Sequence, residues 1–382
     1  MHRSERRILT THTGSLIRPA SLAVPTGCAP KTAAESATAL REAVQDIVRR
    51  QVEIGLDVVN DGEFGKVGWA TYILERLSGF EIRKEQLKPL LWLGRDRDRF
   101  AEFFAAEMPF AATGMPAEAC VGPIAYKDDG ALGRDIDNLL EATAGARPVE
   151  AFMTVVAPAS TAYNGIDEYY GSERDYIFAI AAALREEYLA VHRAGLVVQV
   201  DDAVLANMYD TLVQQSPQRY REWAELRIDA LNYALRDIPQ DRIRYHVCFG
   251  SWHVPHVADA PLEAIVDLVL RVNAGAYSLE AANPRHEHEW RVWRTVKLPP
   301  GKLLLPGVVT HHTTTVEHPQ VVADRLIRFA GLVGKENVIA GTDCGFAQLE
   351  GYQRTHPQVM WAKFEALAEG ARLASQSLWG ND

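Results

Sequence analysis

The chain has 382 residues, of which 47% are hydrophobic and 24% are charged. This composition is typical of a globular protein, and the length suffices for one large α/β barrel or for two domains of ordinary size. The formal net charge of −10 disfavours a surface for nucleic acid or anionic membranes, because both need basic patches. We therefore expect neither nucleic acid nor a membrane as a partner.

The N-terminal sequence MHRSERRILTTHTGS lacks the apolar stretch of a secretory signal, and no segment approaches the roughly 18 apolar residues of a membrane span. We therefore expect a cytoplasmic protein. The four cysteines, Cys28, Cys120, Cys248 and Cys344, are widely spaced and follow no pattern of a disulfide framework. In a reducing compartment, a cysteine within a polar motif is expected to act as a metal ligand or a nucleophile.

Nine short runs rich in valine, isoleucine and leucine predict buried strands. They lie at 8–15, 56–63, 119–126, 151–160, 196–202, 243–250, 276–282, 303–309 and 338–345. Between them, amphipathic stretches such as 32–55, 168–195 and 318–334 predict helices. Strands that alternate with helices indicate parallel βαβ units. About eight repeats predict a closed (β/α)8 TIM barrel, with a doubly wound sheet as the alternative and one candidate strand as an extra.

The stretch from about 80 to 118 is unusually rich in charged and aromatic residues. We interpret it as an insertion that caps the barrel. No linker rich in glycine, proline or serine divides the chain, so residues 1–382 are predicted to form a single domain.

Polar residues follow several of the predicted strands. They are Ser15, Glu63, Asp201, His246 with Cys248, Glu280 and Cys344. In a barrel of this type, the active site lies at the carboxyl ends of the strands. One aspartate after a strand is an ordinary helix cap, but six such endings at one rim are hard to explain by capping. The rim is therefore predicted to carry a functional site.

His246 and Cys248 stand two residues apart in RYHVCFGSW, so their side chains point to the same face of a strand. Both can reach one metal ion at about 2.0–2.3 Å. The pair alone is a weak signal, because a buried cysteine beside a hydrogen-bonded histidine is commoner. Glu280 and Cys344 strengthen it, since two thiolates, an imidazole and a carboxylate suit Zn²⁺.

Two other arrangements of reactive residues are less favoured. A nucleophilic cysteine–histidine pair is disfavoured because side chains two apart on a strand diverge too little to bracket a substrate carbonyl. The sequence HEHEW at 286–290 could suggest a second metal cluster. We expect a polar turn that leads into a helix there.

Together these segments resemble the C-terminal, catalytic half of cobalamin-independent methionine synthase, and more closely the single-barrel proteins of that superfamily. The similarity covers TTHTGSLIRP (10–19), LDVVNDGEFGK (56–66), VVQVDD (197–202), YHVCFG (245–250), YSLEAANPRHEHEW (277–290) and VIAGTDCGF (338–346). The order histidine-x-cysteine, strand-end glutamate and Asp-Cys-Gly is a specific combination. The resemblance implies a (β/α)8 barrel with an activity like that of 5-methyltetrahydropteroyltriglutamate–homocysteine S-methyltransferase.

In that family a zinc ion is held by His, Cys, Glu and Cys, which match His246, Cys248, Glu280 and Cys344. The resemblance implies that the homocysteine sulfur binds the zinc and displaces a weak ligand, usually the carboxylate. A free thiol has a pKa of about 8.5, and coordination to Zn²⁺ leaves it as a thiolate ready for displacement chemistry.

The resemblance also implies residues for the amino-acid end of the substrate. Glu63 and Asp201 would hold the ammonium, and backbone groups around Gly14 and Ser15 would hold the carboxylate. Asp202 stands where the family usually has glutamate. The alternatives are a helix cap for the two aspartates and a solvated loop carboxylate for Glu63.

The match is poorer for the methyl donor. The full-length synthase of the family has a second, N-terminal barrel that helps to bind polyglutamyl folate, and this chain has no room for it. The family also places a tryptophan against the pterin after the strand that matches 151–160, where this sequence has no tryptophan. Tyr163, Tyr169 and Trp69 are candidates for a replacement. A methyltetrahydrofolate-type donor is therefore expected from the resemblance alone.

A histidine commonly protonates the leaving nitrogen in enzymes of this type, and His311, His312 and His253 are candidates. An alternative function is that of the epoxyalkane:coenzyme M transferases of the superfamily. Their sulfonated thiol should select arginine or lysine, and Arg18 and Lys66 lie near the rim.

A second alternative is a barrel that binds zinc and thiols without catalysing a reaction. A zinc hydrolase is disfavoured, because two thiolates lower the Lewis acidity of the ion.

Overall fold

A computed structural model describes residues 1–23, 32–127, 129–161, 163, 165–347 and 354–380; Cys28 lies outside these ranges. The strands are β1 (Leu9–Thr10), β2 (Val58–Val59), β3 (Phe80–Lys88), β4 (Met115–Cys120), β5 (Glu150–Val156), β6 (Gly165–Asp167), β7 (Val197–Asp202), β8 (Ile243–Val247), β9 (Ala276–Leu279), β10 (Leu303–Val309) and β11 (Ile339–Thr342).

The α-helices are α1 (Ala33–Glu53), α2 (Tyr72–Arg76), α3 (Asp96–Arg99), α4 (Ala101–Glu107), α5 (Pro109–Thr113), α6 (Ala131–Ala146), α7 (Glu173–Arg193), α8 (Val204–Asn207), α9 (Tyr209–Val213), α10 (Pro217–Leu235), α11 (Leu262–Val269), α12 (Pro319–Val333) and α13 (Pro357–Trp379). Short 3₁₀ helices are Ala20–Leu22, Leu91–Leu93, Pro158–Ser160, Gln240–Arg242, Glu287–Arg294 and Lys335–Asn337.

Eight strands form one sheet in the order β1-β11-β10-β9-β8-β7-β5-β2. Every pairing between these neighbours is parallel. Between the two ends of the sheet, Asp57 N donates to Thr10 O at 3.0 Å and Thr11 Oγ1 donates to Val58 O at 2.9 Å. The sheet therefore closes almost completely, which confirms the predicted (β/α)8 TIM barrel and excludes the doubly wound sheet.

One predicted strand run lies outside the barrel. The run 119–126 overlaps β4, which pairs antiparallel with β3 and parallel with β6 in a separate three-stranded sheet. Ala117, Ala119 and Cys120 of β4 are fully buried. Because an apolar run marks burial and not the sheet to which a strand belongs, the sequence pattern alone does not separate β4 from the barrel strands.

The segment 80–118, interpreted from the sequence as a capping insertion, contains β3, the 3₁₀ helix Leu91–Leu93, the short helices α3, α4 and α5, and most of β4. It has a small core of Leu90, Leu93, Phe104, Met108 and Ala111. Trp252 and Val254 pack against this core from the loop that follows β8. The segment therefore lies beside the carboxyl end of the barrel, where the predicted site residues are found.

The long helices begin at residues that satisfy their first backbone amides. Thr32 and Glu35 form a capping box at the start of α1, and the Ser172 hydroxyl accepts from Asp175 N at the start of α7. Helix α12 ends at Gly334, whose φ of +92° favours glycine. In the described part of the chain, no helix has the length and apolar character needed to cross a membrane.

A buried ionic network joins α2, α6 and α7. The Arg76 guanidinium donates to Asp135 at 2.7 Å and lies 3.4 Å from a carboxylate oxygen of Glu187. The hydroxyls of Tyr72 and Tyr126 donate to the same Glu187 carboxylate at 2.6 and 2.9 Å. The network fixes α2, and with it the polypeptide that leads from β2 across the rim of the barrel.

Replacing Arg76 by alanine should lower the free energy of unfolding by about 3 kcal/mol, because the buried Glu187 loses its cation and the buried Asp135 keeps only the exposed Arg134. Urea denaturation would measure the loss. Arg49→Ala is the matched control, since the exposed Arg49 pairs with Asp46 and Glu53 on the surface of α1 and should change stability by no more than about 0.5 kcal/mol. Equal losses in the two variants would contradict a structural role for the network.

Candidate metal centre

Three possible metal ligands meet at the carboxyl ends of β8 and β11. A ring nitrogen of His246 and the sulfurs of Cys248 and Cys344 all lie within 4.8 Å of one another, and all three side chains are buried. The two sulfurs are 3.5 Å apart and are not joined in a disulfide. Two sulfurs on one tetrahedral zinc ion are expected to lie about 3.8 Å apart, given Zn–S bonds of about 2.3 Å.

The surroundings of these three residues fit a metal ion. Neither ring nitrogen of the buried His246 has a hydrogen-bond partner, although buried polar groups are normally paired. A cation between the ring and the sulfurs would satisfy one of these nitrogens. Gly250 N donates to the Cys248 sulfur at 3.3 Å, which favours the thiolate form. A donor set of nitrogen and sulfur is one that Zn²⁺ prefers.

Without a bound metal ion, the negative charge of the two cysteines is concentrated on the Cys344 sulfur. The hydrogen bond from the Cys248 thiol and the nearby His246 ring lower the pKa of Cys344 well below its usual value. The same hydrogen bond, together with burial, raises the pKa of Cys248 well above its usual value. Two thiolates this close are stable together only beside a cation, and a divalent metal ion supplies that charge.

Glu280, the predicted fourth ligand, lies beside this group. Its Oε1 accepts from Phe249 N at 3.1 Å and its Oε2 accepts from Asn283 Nδ2 at 2.7 Å. Among the residues that the structure describes, the group with ligand atoms within 4.8 Å of one another does not include it. Its role as a ligand stays a prediction, and it requires the carboxylate to exchange at least one of these hydrogen bonds for the metal.

A cleft leads from the sulfurs to the surface, with an open space of about 690 Å³ including its mouth. Its lining includes His246, Cys248 and Cys344, together with the predicted substrate residues Ser15, Glu63 and Asp201. The folding of the barrel thus brings residues from β1, β2, β7, β8 and β11 to one cavity, as expected for the carboxyl ends of parallel strands.

Gly14 allows the β1 loop to approach the β2 loop closely. A Cβ atom on Gly14 would lie 2.5 Å from Glu63 Oε1 and 2.7 Å from Thr154 Cγ2, and its φ is +148°. The next residue, Ser15, accepts a backbone hydrogen bond from Phe346 N at 2.8 Å, which ties the β1 loop to the β11 loop. Any side chain at position 14 would therefore displace the Glu63 carboxylate.

Glu63 and Asp201 are both buried and repel each other electrostatically. Burial and the charges of Asp201 and Asp61 raise the pKa of Glu63 to about 8, although Lys66 opposes the shift. Burial raises the pKa of Asp201 to about 6, against the stabilising effect of His246 and of the Gln199 amide, which donates to Asp201 at 2.8 Å. Each carboxylate would be stabilised by a bound cation such as an ammonium group.

Asp202 has a different role from its neighbour. Its Oδ1 accepts from Val204 N and Leu205 N, both at 3.1 Å, and its Oδ2 accepts from the Tyr245 hydroxyl at 2.9 Å. These contacts are those of a cap on the turn that follows β7. The capping alternative therefore describes Asp202, while Asp201 faces the cleft.

The candidate proton donors His311 and His312 are absent from the described lining of the cleft. Their rings are 4.1 Å apart, and His312 Nε2 lies 3.9 Å from Glu280 Oε2. Burial lowers the pKa of His311 well below its usual value and that of His312 to about 2. Their part in proton transfer, like that of the exposed His253, stays a prediction.

The HEHEW sequence begins a 3₁₀ helix, Glu287–Arg294, with His286 as its N-cap. In contrast to a solvated turn, His286 is buried and contacts Asp259 at 3.0 Å and Glu289 at 2.9 Å. Its ring also packs against Phe249, next to Cys248, with centroids 4.0 Å apart and an interplanar angle of 34°. His286 thus supports the loop after β8 from behind.

Four aromatic side chains line the cleft: Trp69, Trp92, Tyr163 and Trp252. Trp69 and Tyr163 are two of the three candidates for a stacking surface, whereas Tyr169, the third, is 52% exposed and is not among the described lining residues. The other two lining residues, Trp92 and Trp252, were not predicted from the sequence. Trp252 could have been found from its position four residues after Cys248, but Trp92 lies in the insertion and has no sequence signal.

Serine in place of Cys248 or Cys344 should reduce bound zinc from one equivalent to well below half, because a hydroxyl is a poor ligand at neutral pH. Metal content measured by atomic emission on dialysed protein tests this. Cys120→Ser is the matched control, since the buried Cys120 belongs to β4, outside the barrel, where its sulfur donates to Gly122 O at 3.4 Å, and the change should leave zinc unchanged. Full zinc retention in both ligand variants would rule out this centre.

His286 should make the stability of the wild-type protein depend on pH. Burial opposes its protonation, but hydrogen bonds to Asp259 and Glu289 outweigh burial and raise its pKa to about 10. The unfolded value is about 6.5, so this contribution is complete below pH 6.5 and is lost as the pH rises through 10. His286→Gln should therefore be destabilised at pH 6, with a deficit that shrinks towards pH 10 in urea denaturation. A constant deficit would contradict this assignment.

Comparison with known proteins identifies the family. The family described as "Cobalamin-independent synthase, Catalytic domain" matches residues 160–364, a range that contains His246, Cys248, Glu280 and Cys344. The chain is 27% identical over 372 residues to the uncharacterized protein YxjH of Bacillus subtilis (strain 168), covering 92% of this chain and 90% of the relative.

Two further relatives carry named activities. The chain is 23% identical to 2-hydroxypropyl-CoM lyase of Xanthobacter autotrophicus, with 89% of this chain and 86% of the relative covered. It is 20% identical to a methionine synthase of Thermococcus kodakarensis, with 88% and 85% covered.

A solved structure has the same fold. The B12-independent methionine synthase from Shewanella sp. W3-18-1, in complex with selenomethionine, superposes with a TM-score of 0.74 at 21% identity, covering 98% of this chain and all of that chain. Because the family match spans more than half of its residues, this protein belongs to the cobalamin-independent methionine synthase superfamily, as a single-barrel member.

Proposed function

We propose that this protein is a zinc-dependent thiol alkyltransferase that transfers a methyl group to the sulfur of homocysteine. One observation supports it most strongly. The two sulfurs and the unpartnered imidazole of a metal centre share a cleft with two buried carboxylates. A thiol that carries an ammonium group fits both parts of this cleft at once.

The chain's own residues would prepare the substrate thiol for reaction by holding a metal ion and by setting its charge. His246, Cys248 and Cys344 would hold Zn²⁺, with Glu280 as the ligand that leaves when the substrate arrives. The bound zinc supplies the positive charge that lets the substrate thiol react as a thiolate. The two cysteine thiolates offset most of that charge, which leaves the substrate sulfur nucleophilic.

The amino-acid end would be held at the opposite side of the cleft. Glu63 and Asp201 would share the ammonium group, which relieves the repulsion between the two buried carboxylates. The backbone of the loop at Gly14 and Ser15 would receive the carboxylate. This loop is held in place by its hydrogen bonds to the β2 and β11 loops.

A sulfonated thiol such as coenzyme M is the second candidate, because one relative is a 2-hydroxypropyl-CoM lyase. The described lining of the cleft contains no lysine or arginine to pair with a sulfonate. Lys66 is buried and donates to Thr154 O at 2.5 Å and Thr154 Oγ1 at 2.9 Å, and Arg18 donates to Glu63 O at 3.1 Å. These contacts favour the amino-acid thiol.

The residues on the thiol side do not specify the alkyl donor. The resemblance predicts a methyltetrahydrofolate-type donor. A barrel that only stores zinc would not take a thiol into the coordination sphere of the ion. A barrel that only binds thiols would do so but would form no methylated product.

Glu63→Gln and Asp201→Asn should each weaken homocysteine binding about tenfold to a hundredfold, because a charge-assisted contact to the ammonium is lost. Titration of the cobalt-substituted protein with thiol, followed by visible absorption, measures this binding. The matched ligand is 4-mercaptobutanoate, which lacks the amino group and should bind the variants and the wild type alike. The exposed Glu42→Gln serves as the control variant.

Two results would contradict the proposed function. If thiols leave the cobalt spectrum unchanged, the centre does not accept a thiol ligand. If coenzyme M binds more tightly than homocysteine and yields the alkylated product by mass spectrometry, the amino-acid assignment is wrong.

A further inference from the structure

Part of the cleft lining is an aromatic wall, which consists of Trp92 and Trp252. Their rings stack nearly parallel, at an interplanar angle of 17°, with centroids 5.8 Å apart. Phe110 supports the Trp252 ring from behind, with centroids 5.6 Å apart. Trp92 comes from the 80–118 segment and Trp252 from the loop after β8, so two separate parts of the chain build one surface.

The position of Trp92 is fixed from both sides. The Thr211 hydroxyl donates to Leu91 O, and the Asp210 carboxylate accepts from Arg95 N at 2.7 Å and from Arg95 Nε at 2.8 Å. These bonds anchor both flanks of Trp92 to α9. A surface held in this way needs little reordering when a ligand binds, which favours affinity.

Asp96, the residue after Arg95, ties the 80–118 segment to the loop that follows β8. The buried Asp96 carboxylate accepts from Val257 N at 2.7 Å and from Ala258 N at 3.2 Å. Both amides belong to the loop that also carries Cys248 and Trp252. The aromatic wall and the metal centre are therefore parts of one rigid arrangement.

The ring of Trp69 lies beside the two sulfurs. Trp69 packs against the cluster of Ala203, Cys248 and Cys344. The faces of tryptophan rings attract cations. The charged side chains in the described lining, apart from the metal ligands, are the carboxylates of Glu63 and Asp201. The described lining thus offers a ligand two acidic side chains and no lysine or arginine, although Lys66 lies beside them, and this favours a cationic ligand over an anionic one.

We propose that the aromatic wall binds the alkyl donor, and that this donor is an onium compound, in which the transferred methyl group is attached to a positively charged sulfur or nitrogen. The inference rests on the proposed function for the thiol side only. It differs from the donor implied by the family resemblance, since a polyglutamyl folate is an anion and the described lining of the cleft offers it no lysine or arginine.

The reaction balances without a proton. The thiolate sulfur of homocysteine forms a bond to the methyl carbon while the bond from that carbon to the cationic atom breaks. The electron pair of the broken bond stays on the leaving atom, which departs as a neutral sulfide or amine. The donor thus loses the charge that held it against the rings, which favours product release.

Binding to the zinc-loaded protein with homocysteine present tests the proposal. Choline and its uncharged carbon isostere, 3,3-dimethylbutan-1-ol, are compared by calorimetry, and choline should bind about tenfold more tightly. Trp92→Leu and Trp252→Leu should remove this preference, and Trp92→Phe should retain most of it. Trp379→Leu, near the end of α13, is the control and should change nothing.

Trimethylsulfonium and tetramethylammonium distinguish the two sources of an onium group, and tighter binding of either one supports the proposal. Equal affinity for choline and its isostere in the wild type would overturn it. Tighter binding of methyltetrahydrofolate than of every onium probe would also overturn it, while the proposed thiol alkyltransferase would stand. Homocysteine binding by the cobalt form is measured separately, so a failure there identifies a failure of the proposed function.

Discussion

Two buried sulfurs 3.5 Å apart, beside an imidazole without a hydrogen-bond partner, are the constraint on which the site depends. Two thiolates cannot be buried side by side without a cation, and a buried imidazole without a partner is costly. The chain places both features together at the carboxyl end of its barrel. A divalent metal ion such as zinc would resolve both, so the local electrostatics and the donor chemistry point to the same kind of ligand.

The barrel brings these groups together over long separations in sequence. Cys248 and Cys344 are 96 residues apart, and Glu63 and Asp201 come from strands that are not neighbours in the sheet. Rim loops are then tied to one another by backbone hydrogen bonds, as between Ser15 and Phe346. Preorganisation of this kind is what allows a small set of polar residues to act on one ligand.

The two halves of the cleft have different origins in the chain. Side chains at the ends of the barrel strands would hold the thiol, whereas the 80–118 segment supplies Trp92 to the same cleft. The buried core of this inserted segment comes from its own residues, with Trp252 and Val254 packed against it from the loop after β8. This division provides a physical reason for donor specificity to vary among barrels that keep one thiol-activating centre.

The sequence by itself determined the eight barrel strands, the helices α1, α7 and α12 and the polar endings of the strands, because periodicity and caps are local properties of the chain. His246 and Cys248 share a face for the same local reason. Only the tertiary structure decided that the 119–126 run lies outside the barrel, that His286 is buried against Phe249, and that Trp92 stacks on Trp252. These features depend on which distant segments pack together, and no local pattern encodes that choice.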